Sequence, residues 1–470
     1  MSPDPQSSSS DRRATTSSAD IDGGSGETDI DDTGEVRSAS RAPRGSWSGR
    51  AGRLARRTAI DTRPLAHPAF RRLWLGQAVS FTGFQLTSVA ISVQVYDLTK
   101  SSLWVGLLGP ANLIPLIVFG LWGGAVADTM DRRKLLIMAS IVTWVATLGL
   151  LVQALLDVGS VWTIIGLVVV QAIGFAISSP TRGAVIPRLL PTVLVPAANT
   201  LNFTASQVAT FVGPVLAGVV IGHGGYAIAY GIDAVLFTVG LYASLRLPRL
   251  APIGGEIRRP GLRSVVEGLR FLFTRPVLMM SFVVDIIAMG VAMPRALFPE
   301  VADTRFGGEE AVGWLVAAIA IGAVVGGLAS GWIGRIHRQG IALIAVIAVW
   351  GLAVAASGLA GSLWLAVLLL AVGGAADLVS AVFRQTILQT YAPDEMRGRL
   401  QGVFTVVVAG GPRLGDLRAG ATASVVGVTL SWTGGGLACA VLVVVAGLAV
   451  PSFRRYTTVA RTPVAERPDP

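Results

Sequence analysis

Charge is scarce in this chain. Charged residues make up 14% of its 470 positions, where a soluble domain carries about 25%. A water-soluble chain of this length would divide into two or three domains, each with a polar surface to cover. There are too few polar side chains here to do it. Cysteine occurs once, at Cys439 in an apolar run, so no disulfide can form within the chain, and the residue reads as a small buried hydrophobe. The three histidines, His67, His223 and His337, are far apart and make no metal-ligand pattern. No G-x-x-x-x-G-K-S/T loop and no H-E-x-x-H occurs, which argues against a built-in ATP engine and against a zinc hydrolase. No metal, cofactor or enzymatic activity is expected. Lysine is nearly missing, with Lys100 and Lys134 the two among 38 basic residues.

What is present is apolar. Hydrophobic residues make up 52% of the chain and the mean hydropathy is +0.64. Runs of the length needed to cross a bilayer, about 20 residues, recur near 73–95, 103–127, 135–156, 161–179, 201–221 and 226–245, and again near 277–298, 312–333, 341–359, 363–381, 403–425 and 429–450. The pattern predicts an all-α membrane protein with twelve transmembrane helices in two six-helix bundles, occupying 66–246 and 276–450.

The formal charge of +10 does not point to nucleic acid, because the arginines cluster in short loops between apolar runs rather than along one polar face. Arg132, Arg133, Lys134, Arg182, Arg188, Arg335, Arg338, Arg397, Arg399, Arg454 and Arg455 fall on one side, with the stretch from Arg246 to Arg270. Little beyond Lys100, Arg295 and Arg305 falls on the other. Basic loops stay inside, so both termini are expected in the cytoplasm. Residues 1–65 are polar and lack an apolar periodic face, which predicts a disordered tail. No cleavable signal peptide is read there. The connector 247–275 carries Val265, Val266, Leu269 and Leu272 at helical spacing among charges, which predicts an amphipathic helix on the inner membrane face. Residues 451–470 read as a second cytoplasmic tail.

The halves echo each other at an offset near 200 residues. Arg182 precedes Pro191 by nine residues and Arg384 precedes Pro393 by nine; Gly213-Pro214-Val215-Leu216 returns as Gly411-Pro412-Arg413-Leu414; Gly124-x3-Asp128 has a worn counterpart at Gly327-x3-Gly331. Parallel repeats of this kind imply two bundles that rock about a central cavity.

The loop Gly123-Gly124-Ala125-Val126-Ala127-Asp128-Thr129-Met130-Asp131-Arg132-Arg133-Lys134 resembles the signature of the major facilitator superfamily, G-x-x-x-D-R/K-x-G-R/K-R/K. Thr129 replaces the usual basic residue and Asp131 the last glycine. Gly124 would permit close helix approach, and Asp128 would dock on the partial positive charge of a helix N-terminus in the other bundle. With Arg132 and Arg133 this makes a conformational switch. His67-Pro68-Ala69-Phe70-Arg71-Arg72-Leu73-Trp74, Ser179-Pro180-Thr181-Arg182, Gly213-Pro214-x-x-Ala217-Gly218 and Gln385 through Gly402 are similar to the drug:proton antiporter branch that contains the enterobactin exporter and macrolide efflux pumps. The likeness spans roughly residues 65–450. It implies export and leaves the substrate open.

Ionisable residues inside spans are costly and usually functional. Asp285 lies well inside the seventh run, where it reads either as the carrier of a coupling proton or as a structural hydrogen-bond partner. Asp377 and Arg384 are seven apart, on one helical face. Arg413 and Asp416 are three apart and able to pair locally. Arg418 then needs another partner, either Asp377 or an anionic substrate. These groups read either as structural pairs or as handling proton and substrate, with Asp377 and Asp416 as proton-coupling candidates beside Asp285 and with Arg384, Arg413 and Arg418 as substrate candidates. Asp233 reads as structural. Gln77, Gln85 and Gln94 are candidates for lining a cavity or for joining helices. Gly213-Pro214 reads as a helix kink. These readings converge on a proton-coupled exporter of a small amphiphilic molecule, a siderophore of enterobactin type or a hydrophobic drug. It would sit in the inner cell membrane and work as a monomer, with the lipid bilayer as its surroundings. A multidrug or macrolide pump without a siderophore role, and a non-transporting sensor or scaffold, are the alternatives.

Overall fold

The computed structural model describes residues 61–457 other than 249, 251–261, 331, 332, 334 and 335; at 121–129, 184, 262–266, 394, 395, 397 and 398 it describes the backbone alone. The expected N-terminal tail up to residue 60, most of the C-terminal one and the first part of the connector lie outside the described residues.

The elements are helices, with no β-strand among the described residues. Helix α1, Pro68–Thr99, opens on a proline at its first position, where the missing N–H costs nothing, and stops at Lys100 in the left-handed region, φ 48°. Helix α2 is Ser102–Thr129. Helix α3, Arg132–Leu155, is capped by Asp131, whose side chain accepts from Arg133 N–H. Helix α4, Val161–Leu189, is capped in the same way by Ser160. Helix α5, Val195–Leu245, is broken once, at Gly225, with φ 72° and ψ −177°, a conformation that glycine adopts without a Cβ clash. Helix α6, Leu262–Phe273, is short. Helix α7, Pro276–Ala292, runs into a 3-10 turn at Arg295–Leu297 and two further short turns up to Phe306. Then follow α8, Glu309–Leu328, α9, Gln339–Gly358, α10, Leu363–Tyr391, α11, Asp394–Val426, and α12, Val428–Ala449.

Ten helical stretches among the described residues are long and apolar enough to cross a membrane, against the twelve runs read from hydropathy. The difference has two causes. The stretch Thr192–Leu245, 54 residues long, is one of the ten, although a crossing needs only about 20 residues and the helix breaks inside it at Gly225. Helix α11 is 33 residues long but carries Arg399, Arg413, Asp416 and Arg418 along it, and it is not among the ten.

Helix α1 lies along α5, and α3 and α2 both pack on α4. In the second set α9 packs on α10 and α12, α8 on α10, and α11 on α7. The sets meet where α2 lies on α11 and where α5 lies on α8. Large apolar side chains such as Leu75, Val145, Trp162, Leu328 and Leu368 are exposed, whereas Thr87, Gln94, Gln153 and Asp233 are buried. That inversion suits a chain whose solvent is hydrocarbon, because lipid offers buried polar groups no hydrogen bonds. The buried polar groups pair with one another. Tyr230 donates its hydroxyl to Gln94 Oε1 at 2.7 Å, and Gln153 Nε2 donates to the same oxygen at 3.0 Å. Gln94 thus ties α1 to α3 and α5, as helix glue rather than cavity lining. Gln94→Ala strands both donors. It should lower the unfolding free energy in detergent by about 1–3 kcal/mol, read as a drop in thermal midpoint. An unshifted midpoint would show that the network contributes nothing.

Candidate transport site

Between the two sets lies a cavity of about 420 Å³, within the range of small-molecule sites. Its walls differ chemically. Helices α1, α2, α4 and α5 supply neutral polar groups, among them Gln85, Ser88, Asn112, Gln171, Gln207 and Thr210, with the ring of Phe84. That ring continues into a stack, 5.3 Å from Phe175 and 6.0 Å from Phe81 with the planes nearly parallel. The second set supplies charge, through Arg295, Arg413 and Asp416. Arg295 reaches the cavity because α7 ends at Ala292 and the chain turns over Pro294 into a 3-10 turn. Arg413 donates to the Ala409 carbonyl at 2.5 Å, and Asp416 accepts from the Ala296 N–H.

A second space of about 520 Å³ shares Arg295, Ile319, Val408 and Pro412 with the first. Its wall holds Asp285, Asp377 and Arg384. Arg384 forms an ion pair with Asp285, and its Nη2 is 3.6 Å from Asp377 Oδ1. Its Nε points to the Ser380 carbonyl at 3.4 Å. The Arg384 and Asp285 side chains are buried, at 5% and 3% exposure, while Asp377 is 32% exposed. One cation is therefore shared by a carboxylate that is almost wholly covered and by one that faces this second space.

The remaining sequence candidates fall as follows. Gln85 lines the central cavity, but Gln77 does not. It sits in a small cleft with Trp74, Phe81, Asn202 and Ser206. Arg418 meets neither Asp377 nor the cavity; it turns to α12 and donates to the Ser431 carbonyl at 3.2 Å. Gly435 of α12 leaves room for its guanidinium. Arg413 and Asp416 face separate partners instead of closing on each other. Pro214 stands in the cavity wall, and α5 keeps helical dihedrals through Gly213-Pro214 and departs from them at Gly225. Gly213 lets α5 lie against Thr82 and Gln85 of α1. In the loop motif, the contacts of Gly124 and the side chain of Asp128 lie outside what is described. Asp131 Oδ1 accepts from the N–H groups of Arg133, at 2.9 Å, and Leu250, at 3.3 Å. Arg133 Nη2 donates to the Leu245 carbonyl at 2.7 Å and so caps the C-terminus of α5.

The sets are sealed together at one end, the end away from Arg132 and Arg133. A methyl group on Gly106 of α2 would come within 2.7 Å of the Asp416 carbonyl oxygen of α11, and one on Gly218 of α5 within 2.9 Å of the Glu310 Cα of α8. Backbones approach this closely only over glycine. Polar contacts rim the seal. Ser102 donates to Glu300, Lys100 Nζ lies 3.2 Å from Asp97 and 3.6 Å from Asp303, and His223 Nδ1 is 3.8 Å from Glu310. The Asp97 carboxylate beside Lys100 holds its ammonium above the usual lysine range.

Solved structures share this architecture. The nucleoside transporter NupG superposes with a TM-score of 0.67 over 83% of this chain and 99% of that one, at 14% identity. A bacterial homologue of the human lysosomal transporter Spinster, inward-facing and unoccupied, gives 0.62 over 84% and 97%, at 18% identity. The fold is that of the major facilitator transporters, and the family and relative that the chain matches make it a multi-pass membrane transporter. Residues 60–468 match the profile of the transmembrane secretion effector family, and the chain belongs to that family. The enterobactin exporter EntS of Shigella boydii is 29% identical over 395 residues, which cover 83% of this chain and 94% of that protein.

Replacing Gly106 by leucine should wedge α2 from α11 and open the sealed end. With Asn112→Cys as reporter and Cys439 buried, labelling by a membrane-impermeant maleimide added on the Lys100 side should rise several-fold. Unchanged labelling would show that the seal does not depend on this contact.

Proposed function

We propose that the protein is a proton-driven exporter in the inner cell membrane that moves a small amphiphilic molecule outward by alternating access. Both arms of α5 and helix α11 cross the bilayer in this reading, which brings the crossings to twelve. The basic loops and both termini face the cytoplasm. The sealed end is then the outer one, and the cavity stands ready to load from inside.

One observation carries the reading: Arg384 is shared between Asp285 and Asp377 in the wall of the second space, which adjoins the central cavity. A carboxylate paired with a membrane-buried cation can exchange that partner for a proton, and Asp377 is open to water from the cavity. Protons bound from the outer side release the arginine, the helices rearrange, and the protons leave to the inside. The substrate sits between the neutral wall with its phenylalanine stack and the Arg295–Arg413 wall. Amides, hydroxyls, aromatic rings and two guanidinium groups suit an anionic aromatic molecule such as a catecholate siderophore, in keeping with the name of the EntS relative. The stack of Phe81, Phe84 and Phe175 also favours a second reading, efflux of hydrophobic aromatic drugs.

Flux of enterobactin and of ethidium into inverted vesicles, with and without a pH gradient, separates these readings. Gradient-driven movement of enterobactin is expected. Ethidium moving alone would favour the drug pump, and flux indifferent to the gradient would end the proton-driven reading. Asp285→Asn should abolish gradient-driven flux while folded protein remains in the membrane, and wild-type flux in that variant would remove Asp285 from the coupling step. Arg384→Gln leaves two carboxylates without their cation, a loss worth about 3–5 kcal/mol where a buried pair is broken. Its thermal midpoint should fall, and adding Asp285→Asn should restore part of it.

A further inference from the structure

Asp233 takes no part in the site described so far. It sits in the second arm of α5 and is fully buried. Its Oδ2 accepts from the hydroxyl of Thr87 on α1, at 2.8 Å, and from that of Thr147 on α3, at 3.5 Å. Its Oδ1 lies against Gly83 of α1 and has no hydrogen-bond partner among the described residues. The groups that face it are these two hydroxyls, and no charged side chain among the described residues acts on it. The nearest titratable group on its own helix, Tyr230, is engaged with Gln94. An ionised carboxylate enclosed this way would carry a full charge with two neutral donors to offset it, an arrangement that buried charges avoid.

The pocket is connected. Thr147 accepts from Gln171 Nε2 of α4 at 3.1 Å, and Gln171 lines the central cavity. A hydrogen-bonded line thus runs from cavity to carboxyl through Gln171 and Thr147. A purely structural hydroxyl–carboxyl cluster would need no such opening.

We propose that Asp233 is a second proton-binding carboxyl, placed in the first set of helices, which exchanges its proton with water admitted from the central cavity past Gln171 and Thr147. In the conformation described the proton resides on the carboxyl. When the bundles rock and the cavity wets this wall, it passes to water, and the Thr87 and Thr147 hydroxyls steady the carboxylate left behind until a proton returns from the other side. Each half of the transporter then carries its own proton site, and the C-terminal one is built around Arg384. The inference rests on the proton-driven reading.

The test is the proton count of transport. In proteoliposomes of the full chain, enterobactin gradients are set against pH gradients to find the balance point without net flux, and the slope gives protons moved per enterobactin. Wild-type protein must show a pH-dependent balance point, or the proton-driven reading itself fails. Given that, Asp233→Asn should still transport, with a slope lower by one proton per molecule. An unchanged slope in Asp233→Asn would overturn the proposal and leave the Arg384 site standing. If Asp233→Asn does not assemble, Thr147→Val cuts the line while keeping the carboxyl and Thr87. It should slow gradient-driven flux several-fold with enterobactin binding unaltered, and wild-type flux there would equally overturn the proposal.

Discussion

A guanidinium held inside a bilayer has to be neutralised by the protein that put it there. Arg384 imposes that demand on this fold. Its charge is met by Asp285 from α7 and by Asp377 from its own helix, so the pair fixes how α7 and α10 lie against each other. It also fixes where water is allowed. One carboxylate is covered and the other faces the space that adjoins the central cavity, so the neutrality of the cluster is exposed to whatever enters there. The neutral polar wall opposite carries no comparable obligation. Its amides and hydroxyls can turn to suit a guest without stranding a charge.

The helices around this cluster are held by two different means. Within each set, buried polar side chains join helices that hydrocarbon would not drive together. Examples are the Gln94–Gln153–Tyr230 network and the indole of Trp432 bonded to Ser357. Between the sets, contact rests on glycine and bare backbone at Gly106 and Gly218, with a rim of ion pairs. Side-chain networks make each bundle a body; close-packed backbone without interlocking side chains makes a face that can part.

Much of this was legible in the sequence, for physical reasons that can be named. Span length and the placing of arginines follow from bilayer thickness and charge cost, so the helices from α1 to α12 lie close to where hydropathy put them. The pairing of Asp377 with Arg384 followed from their separation of seven. What the sequence could not show is what lies across the cavity. Asp285 joins Arg384 from a helix about one hundred positions earlier, and no local spacing signals that. Arg295 falls inside the seventh apolar run and is counted only among the few basic residues of the outer side, because the break after Ala292 is invisible to hydropathy; Pro294 beside it is the available sign. Arg418 is left over once Arg413 is paired with Asp416, which offers it Asp377 or an anionic substrate, because spacing along one helix names no neighbour on the next; Gly435 of α12 leaves the space that receives it. The loss of helical dihedrals at Gly225 was not signalled either, because Gly213-Pro214 is the conspicuous breaker in that stretch.

That break at Gly225 has a mechanical meaning. The two arms of α5 meet at one residue, without a loop to absorb slack. The first arm carries Pro214 and Gly218 against α8, and the second carries Asp233 among Thr87 and Thr147. The corner therefore works like the elbow of a crank, so that travel of the first arm along its partner is handed to the second arm instead of being lost in a flexible strap.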